Sequence, residues 1–176
     1  MSLDLQNPLL LRSVSLALIV AAMLGEALRS GRNTEALKRQ GAAEPVDPIW
    51  PVMAAVYPAS FVAMFVESML RGGPSAGQWV FGVVLFGAAK LLKYSAIGAL
   101  GPRWSFRVLV LPQEPLVATG PYRWMRHPNY VAVIGELIAA GVMMAAPITC
   151  VLFTLAFAEI IRRRIQVEER ALGMRS

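Results

Sequence analysis

The stretch YVAVIGELIAAGVMMAAPITCVLFTLAFAEII, Tyr130 to Ile161, decides the fold. It is mostly apolar, and it is too long for one crossing of a bilayer whose core of roughly 30 Å takes about 20 apolar residues per helix. Ala145-Ala146-Pro147 interrupts it near the middle. Proline has no N–H to give and clashes with the preceding turn. The block therefore predicts a tight hairpin of two short helices, over about 129–145 and 147–162, rather than one continuous helix.

Further apolar blocks lie upstream, over about 8–28, 49–70 and 78–100, each bounded by Pro, Gly or charged residues. The first opens on Asn7-Pro8, a cap-like residue before a proline suited to the first helical position. Met1 to Gln6 holds no Lys or Arg, so the basic leader of a secretory signal is missing and the first block is expected to be a retained span. The whole chain, 1–176, reads as a single all-α domain: a polytopic membrane helical bundle of about five transmembrane helices with the last two as a hairpin. Composition agrees. With 56% hydrophobic and only 16% charged residues among 176, and a mean hydropathy of +0.54, the chain is too apolar for an ordinary soluble domain.

The net charge of +6 has a topological reading. With alternating loops and a cytoplasmic C-terminus, one side receives Arg29, Arg32, Lys38, Arg39, Lys90, Lys93, Arg103, Arg107, Arg123, Arg126, Arg162, Arg163, Arg164, Arg170 and Arg175. The other receives Arg12 and Arg71. This is the bias expected of an N-out, C-in protein, and it accounts for the positive charge without a nucleic-acid partner. One cysteine, Cys150, and one histidine, His127, exclude a disulfide within the chain and any Cys/His metal cluster. No GxGxxG follows a strand, and no phosphate-binding GxxxxGK[ST] is present. Gly82, Gly87, Gly98, Gly101, Gly135 and Gly141 read as close-packing positions.

Two polar clusters flank the hairpin. The segment 101–128 is long for a loop in a compact domain and ends on Gly120-Pro121-Tyr122-Arg123-Trp124-Met125-Arg126-His127-Pro128-Asn129-Tyr130. Pro128 suits a helix start, whose amides attract carboxylates and phosphates; Tyr, Trp and Arg at headgroup level equally make an interfacial anchor. After the hairpin comes Arg162-Arg163-Arg164-Ile165-Gln166-Val167-Glu168-Glu169-Arg170-Ala171-Leu172, expected as a cytoplasmic helix over 163–173. Arg164 and Glu168 share a helical face, as a surface ion pair or as ligands for an anionic and a cationic or hydroxyl-rich group. Of the acids within apolar blocks, Glu67 and Glu159 sit near span ends and are expected to reach the interface. Glu136 is deeper, where carboxylates mark function: a hydrogen-bonding group, a substrate contact or a base.

The run Leu116-Val117-x-x-Gly120-x-Tyr122-x-x-x-Arg126-His127-Pro128-x-Tyr130, followed beyond the hairpin by Arg164-x-x-x-Glu168-Glu169-x-x-Leu172, resembles the isoprenylcysteine carboxyl methyltransferase family of integral-membrane enzymes. Upstream, Arg32-Asn33, Gly41-Ala42-Ala43-Glu44 and Glu67 look more like the bacterial branch that methylates alkylpyrones and alkylresorcinols made by type III polyketide synthases. The resemblance implies methyl transfer from S-adenosylmethionine to a lipophilic or prenylated acceptor at the membrane, with an active site on the cytoplasmic face and, in a prokaryote, at the inner membrane.

Carried over by position, the resemblance implies that Leu116, Val117, Tyr122, His127, Pro128, Asn129, Tyr130 and Glu168 contact the cofactor, with Glu114 and Pro115 beside them. Arg164 matches an arginine on the substrate side, expected to orient the acceptor and stabilise charge, and Arg107 stands where the family often has glutamine. Glu136 is the candidate for assisting proton removal. The competing expectations are a membrane subunit or small transporter using its intramembrane acids, and a nicotinamide-dependent sterol reductase, whose extra spans this chain has little room for.

Overall fold

The structure, a computed structural model, describes residues 6–112 and 114–173. Met1 to Leu5, in the leading segment, and Arg175, in the set of cytoplasmic charges, lie outside these. Five helices follow in order: α1 (Pro8–Arg39), α2 (Trp50–Leu70), α3 (Ala76–Leu100), α4 (Pro128–Met143) and α5 (Pro147–Ala171). Single 3-10 turns occupy Gly101–Arg103 and Gly120–Arg123, and the sole extended pairing among the described residues is a bridge between Ala43 and Val110.

Local chemistry sets the helix starts. Asn7 Oδ1 accepts from the amides of Leu9 and Leu10 (3.0 and 3.3 Å), with Pro8 at the first position of α1. Asp47 Oδ1 does the same for Ile49 and Trp50 at the start of α2 (3.1 and 3.2 Å). The hairpin turn is a Schellman motif: the Ala146 amide reaches the Gly141 carbonyl (2.9 Å), the Ala145 amide reaches Val142 (3.1 Å), and Ala145 adopts φ 52°. Pro147 then starts α5. Glu67 closes this end from α2, accepting from the amides of Ile148 (3.1 Å) and Thr149 (2.7 Å) and from the Thr149 hydroxyl (2.7 Å). It is buried as a helix cap rather than reaching the interface.

Two boundaries differ from the sequence reading. α1 continues past Leu28 to Arg39, because its polar extension has work on one face. Asn33 Nδ2 donates to the Trp104 carbonyl (2.7 Å), Ser30 Oγ accepts from the Phe106 amide (2.8 Å), and Thr34 meets Ser105 (2.7 Å). Lys38 and Arg39 complement the dipole of its last turn. At the other end of the chain, 163–173 is no separate helix, since no Gly or Pro interrupts α5 between Pro147 and Ala171.

α1, α2 and α3 are long and apolar enough to cross a membrane, whereas α4, with 16 residues, spans only about 24 Å at 1.5 Å per residue. Among the described residues the bundle thus has five helices, of which three are long and apolar enough for a full crossing and two form the hairpin, α4 being short and α5, with 25 residues, ending in a charged stretch. Its two ends alternate along the chain. Arg12 Nη1 donates to the Ser68 carbonyl (2.9 Å) at the end where Glu67 caps α5; the 30–47 and 104–110 segments meet at the opposite end.

α3 packs most extensively on α4, and Gly82 permits it. A Cβ there would lie 2.6 Å from the Met143 amide nitrogen and 2.9 Å from its Cα, backbone atoms that cannot swing aside. Gly82→Ala is expected to cost about 1–3 kcal/mol through overpacking, read as a lower unfolding midpoint in detergent. The core between these helices holds Phe61, Met64, Leu137, Met143, Met144 and Phe157.

Candidate active site

A cavity of about 680 Å³ opens among α1, α2, the 100–117 segment, the start of α4 and the last turns of α5. That volume falls within the roughly 300–1,000 Å³ of small-molecule sites. Of the residues singled out from sequence, Leu116, Val117, Tyr122, His127, Asn129, Tyr130, Arg164 and Glu168 line it. Pro128 does not: it is buried at the first position of α4, where it sets the direction of its neighbours. Glu136 does not line it either.

One end of the cavity is polar. Tyr130 Oη donates to Glu168 Oε2 (2.9 Å), tying α4 to α5. His127 Nε2 lies 3.1 Å from Glu169 Oε1, and its Nδ1 lies 3.9 Å from Glu168 Oε2. Burial first, then the charge on Glu168, pushes the Tyr122 phenol up from its ordinary value, so it remains a neutral donor. The amides of Tyr130 and Val131 are taken by the His127 carbonyl (3.1 and 3.3 Å). The free helix amides expected from Pro128 therefore narrow to that of Asn129. Asn129 Oδ1 is a buried acceptor with no hydrogen-bond partner.

Arg164 enters from α5 and is 2% exposed. It forms an ion pair with Asp47, donates from Nη2 to the Phe106 carbonyl (2.7 Å), and lies over the Trp50 ring at 5.5 Å. It makes no ion pair with Glu168, although the spacing permits one. Its Nε–H is buried without a partner. Asp47 thus serves twice, capping α2 with one oxygen and holding Arg164 with the other. Arg107 also faces the cavity, 5.4 Å from the Trp50 centroid, and pairs with Glu44 at 3.0 Å. The hydrogen bond from Lys38 (2.6 Å), with the charge of Arg107 behind it, holds the Glu44 carboxyl below its usual range despite partial burial.

About 10–20 Å inside the helix ends, at 1.5 Å per residue, lies a quartet of buried charges. Lys90 Nζ bridges Glu26 Oε1 (2.6 Å) and Glu136 Oε1 (2.9 Å). Lys93 Nζ bridges Glu26 Oε2 (2.6 Å) and Glu136 Oε2 (3.2 Å). Tyr57 Oη also donates to Glu136 Oε2. Lys90 and Lys93 are therefore not loop charges, as the topological count had them: they neutralise two acids inside the bundle, since an unpaired charge there is expensive. Glu136, fully buried and bound on both oxygens, sits behind the cavity wall as a member of this quartet, a setting unlike that of a base in contact with substrate. Glu159 lies apart on the exposed face of α5, paired with Arg162 (2.7 Å) and Arg163 (2.8 Å).

Asp47, Trp50, Tyr57, Glu26 and Lys93 were not singled out from sequence. The available signal was charge balance: two lysines three residues apart in an apolar block require acids, and Glu26 and Glu136 are the ones the bundle brings to them.

Comparison with known proteins agrees with this architecture. The model of the isoprenylcysteine carboxyl methyltransferase family matches residues 80–174. The uncharacterized protein YpbQ of Bacillus subtilis is 29% identical over 157 residues, covering 89% of this chain and 94% of its own. Protein-S-isoprenylcysteine O-methyltransferase A of Arabidopsis thaliana is 27% identical over 118 residues, 65% of this chain and 60% of that enzyme. The solved eukaryotic intramembrane Ras methyltransferase, isoprenylcysteine carboxyl methyltransferase, shares the fold with a TM-score of 0.55 at 24% identity, over 69% of this chain and 45% of that one. This chain thus spans about half to three-fifths of the length of these two enzymes. With the family match running from α3 through the cavity-lining loop and the hairpin to the end of α5, this chain belongs to the isoprenylcysteine carboxyl methyltransferase family of integral-membrane methyltransferases.

Proposed function

We propose that this chain transfers a methyl group from S-adenosylmethionine to an oxygen of a lipid-like acceptor dissolved in the membrane, of the alkylpyrone or alkylresorcinol type or an isoprenylcysteine carboxylate. The observation that carries the reading is that two residues lining one cavity each hold a buried polar atom without a partner: the acceptor Asn129 Oδ1 and the donor Arg164 Nε–H. Buried polar groups are ordinarily satisfied, so such atoms on cavity-lining residues point to a ligand.

The donor set suits the cofactor. S-adenosylmethionine, when bound, supplies an electrophilic methyl on a sulfonium. Asn129 Oδ1 is placed to accept from an amino group, Glu168 is a carboxylate for an ammonium or ribose hydroxyls, and Leu116 and Val117 offer an apolar wall to a flat base. Tyr122 and Tyr130 give aromatic faces toward which a cation is drawn. Arg164 Nε–H fits the acceptor oxygen, held in place because Asp47, Phe106 and Trp50 fix the guanidinium. With Asp47 balancing its charge, Arg164 acts more by orientation than by lowering an acceptor pKa, and Glu136 supports the wall rather than taking a proton. A carboxylate acceptor attacks already ionised, while a phenol or enol releases its proton to water at the polar end of the cavity as the oxygen–methyl bond forms and the sulfur–methyl bond breaks.

A transporter using intramembrane acids fits less well. Glu136 is sealed in a balanced quartet and Glu159 faces outward, so no polar pathway joins them. The proposed orientation is N-out and C-in, with the polar end of the cavity on the cytoplasmic face, in the inner membrane of a prokaryote; where the acceptor is an alkylpyrone or alkylresorcinol, a type III polyketide synthase supplies it. Incubating detergent-purified protein with methyl-labelled S-adenosylmethionine and alkylpyrones, alkylresorcinols, prenylcysteine and phosphatidylethanolamine tests the reading. Label is expected in an alkylpyrone, an alkylresorcinol or the prenylcysteine; label in none of the four, from folded protein, contradicts it.

A further inference from the structure

The cavity continues below its polar end into a part lined by Met23, Ala27, Met53, Ala54, Pro58 and Phe157, a surface suited to an alkyl chain. Glu26, Lys93 and Tyr57 interrupt that surface, facing the cavity from α1, α3 and α2. Lys90 and Glu136, the other members of the cluster, do not line it. The charged network therefore borders the cavity through Glu26 and Lys93, both buried, while Lys90 and Glu136 tie it together away from the cavity.

We propose that Glu26, Lys93 and Tyr57 form a recognition subsite for a neutral hydroxyl or ring carbonyl of the acceptor, deeper in the membrane than the oxygen that is methylated. The hydrogen-bond inventory permits it. The Lys93 ammonium has three protons and uses two, on Glu26 and Glu136. Glu26 Oε2 keeps a lone pair beyond Lys93, and the Tyr57 oxygen, donating to Glu136, keeps its acceptor capacity. Pro58 has no N–H for the Ala54 carbonyl, leaving that cavity-lining residue without its helical donor. Charge selects the ligand class. Two lysines against two glutamates leave the cluster neutral, so a charged group would unbalance it in a low-dielectric setting, while a neutral donor or acceptor would not. A hydroxylated or oxo ring bearing an alkyl chain meets both requirements. A plain isoprenyl chain would desolvate this wall and give nothing back.

This deepens the methyl-transfer reading, since it takes the cavity to be the acceptor site, but its test needs no cofactor. Binding of 5-pentadecylresorcinol, its 1,3-dimethyl ether and pentadecylbenzene to the full chain in detergent is measured by calorimetry. The resorcinol is expected to bind about 10-fold or more tighter than the hydrocarbon, with the ether between, because a site built to hydrogen-bond rejects ligands that leave it unpaired. In the doubly substituted Glu26→Gln/Lys93→Gln, which removes one charge of each sign, this preference is expected to fall to within about 2-fold. Should that protein fail to elute as a folded monodisperse species, Tyr57→Phe replaces it, with the preference expected to drop several-fold. Equal binding of the three ligands to wild type overturns the subsite, as does a preference that survives in the folded variants. A protein that prefers the resorcinol yet binds no S-adenosylhomocysteine keeps the subsite and loses the methyl-transfer reading; the reverse pattern does the opposite.

Discussion

Glu136→Ala is expected to destabilise the bundle by about 3–5 kcal/mol, the cost of leaving a buried charge without its partner. Both lysines lean on this carboxylate, Lys90 at 2.9 Å and Lys93 at 3.2 Å, and Tyr57 donates to it. Removing it strands one positive charge among apolar side chains of α2, α3 and α4, whose core neighbours Met143, Leu137 and Phe157 offer no replacement acceptor. The loss should be strongly non-additive. Replacing all four charges at once, by Glu26→Leu, Lys90→Met, Lys93→Met and Glu136→Leu, removes the desolvation cost together with the attraction, and is expected to fold with near wild-type stability. Reversible unfolding in mixed micelles reads both. A Glu136→Ala protein as stable as wild type would mean that the quartet is not closed in solution.

Arg164→Ala is expected to cost a similar amount, about 3–5 kcal/mol, because it leaves Asp47 buried against Trp50 and the loop. It should also remove methyl transfer out of proportion to stability, since the orphan Nε–H disappears with it. Arg164→Lys separates the two effects. The ammonium restores the charge opposite Asp47 but lacks the planar fork that reaches Asp47, the Phe106 carbonyl and a third partner together. Its stability should return most of the way while turnover stays low. Recovery of both would reduce Arg164 to a counter-charge.

How much of this was legible in the sequence varies with the range of the interaction. The hairpin was, because Pro147 dictates a break locally, and Ala145 at φ 52° supplies the turn that usually calls for glycine. The residues that line the cavity were also legible: Leu116 to Tyr130 is one continuous segment, and Glu168 lies one turn from Arg164 on the same helix. The partners of Arg164 were not. The spacing suggested Glu168, whereas Asp47, far away in sequence, takes the guanidinium because the α1–α2 loop folds over the end of α5. The partners of Glu136 were not legible either: in the sequence it is a lone acid in an apolar block, and only the packing of α1 and α3 against α4 shows two lysines answering it. Lys90 and Lys93 were counted with the loops because a window of hydropathy cannot see that a charge is paired. α1 outran its apolar block since its last turns are held by the 104–106 backbone rather than by lipid.

The central claim is that the polar end of the cavity binds S-adenosylmethionine through Glu168, Tyr130 and Asn129. The most direct measurement is calorimetric titration of S-adenosylhomocysteine into detergent-purified wild type and into Glu168→Ala. Glu168 sits at the rim of the fold's last turns and is half-buried, so its loss should leave the bundle folded. Saturable one-to-one binding by wild type, weakened at least about 10-fold in Glu168→Ala as expected for a lost charge-assisted hydrogen bond, is the predicted result. Folded wild-type protein that takes up no S-adenosylhomocysteine, or a Glu168→Ala protein that binds it equally well, would contradict the account.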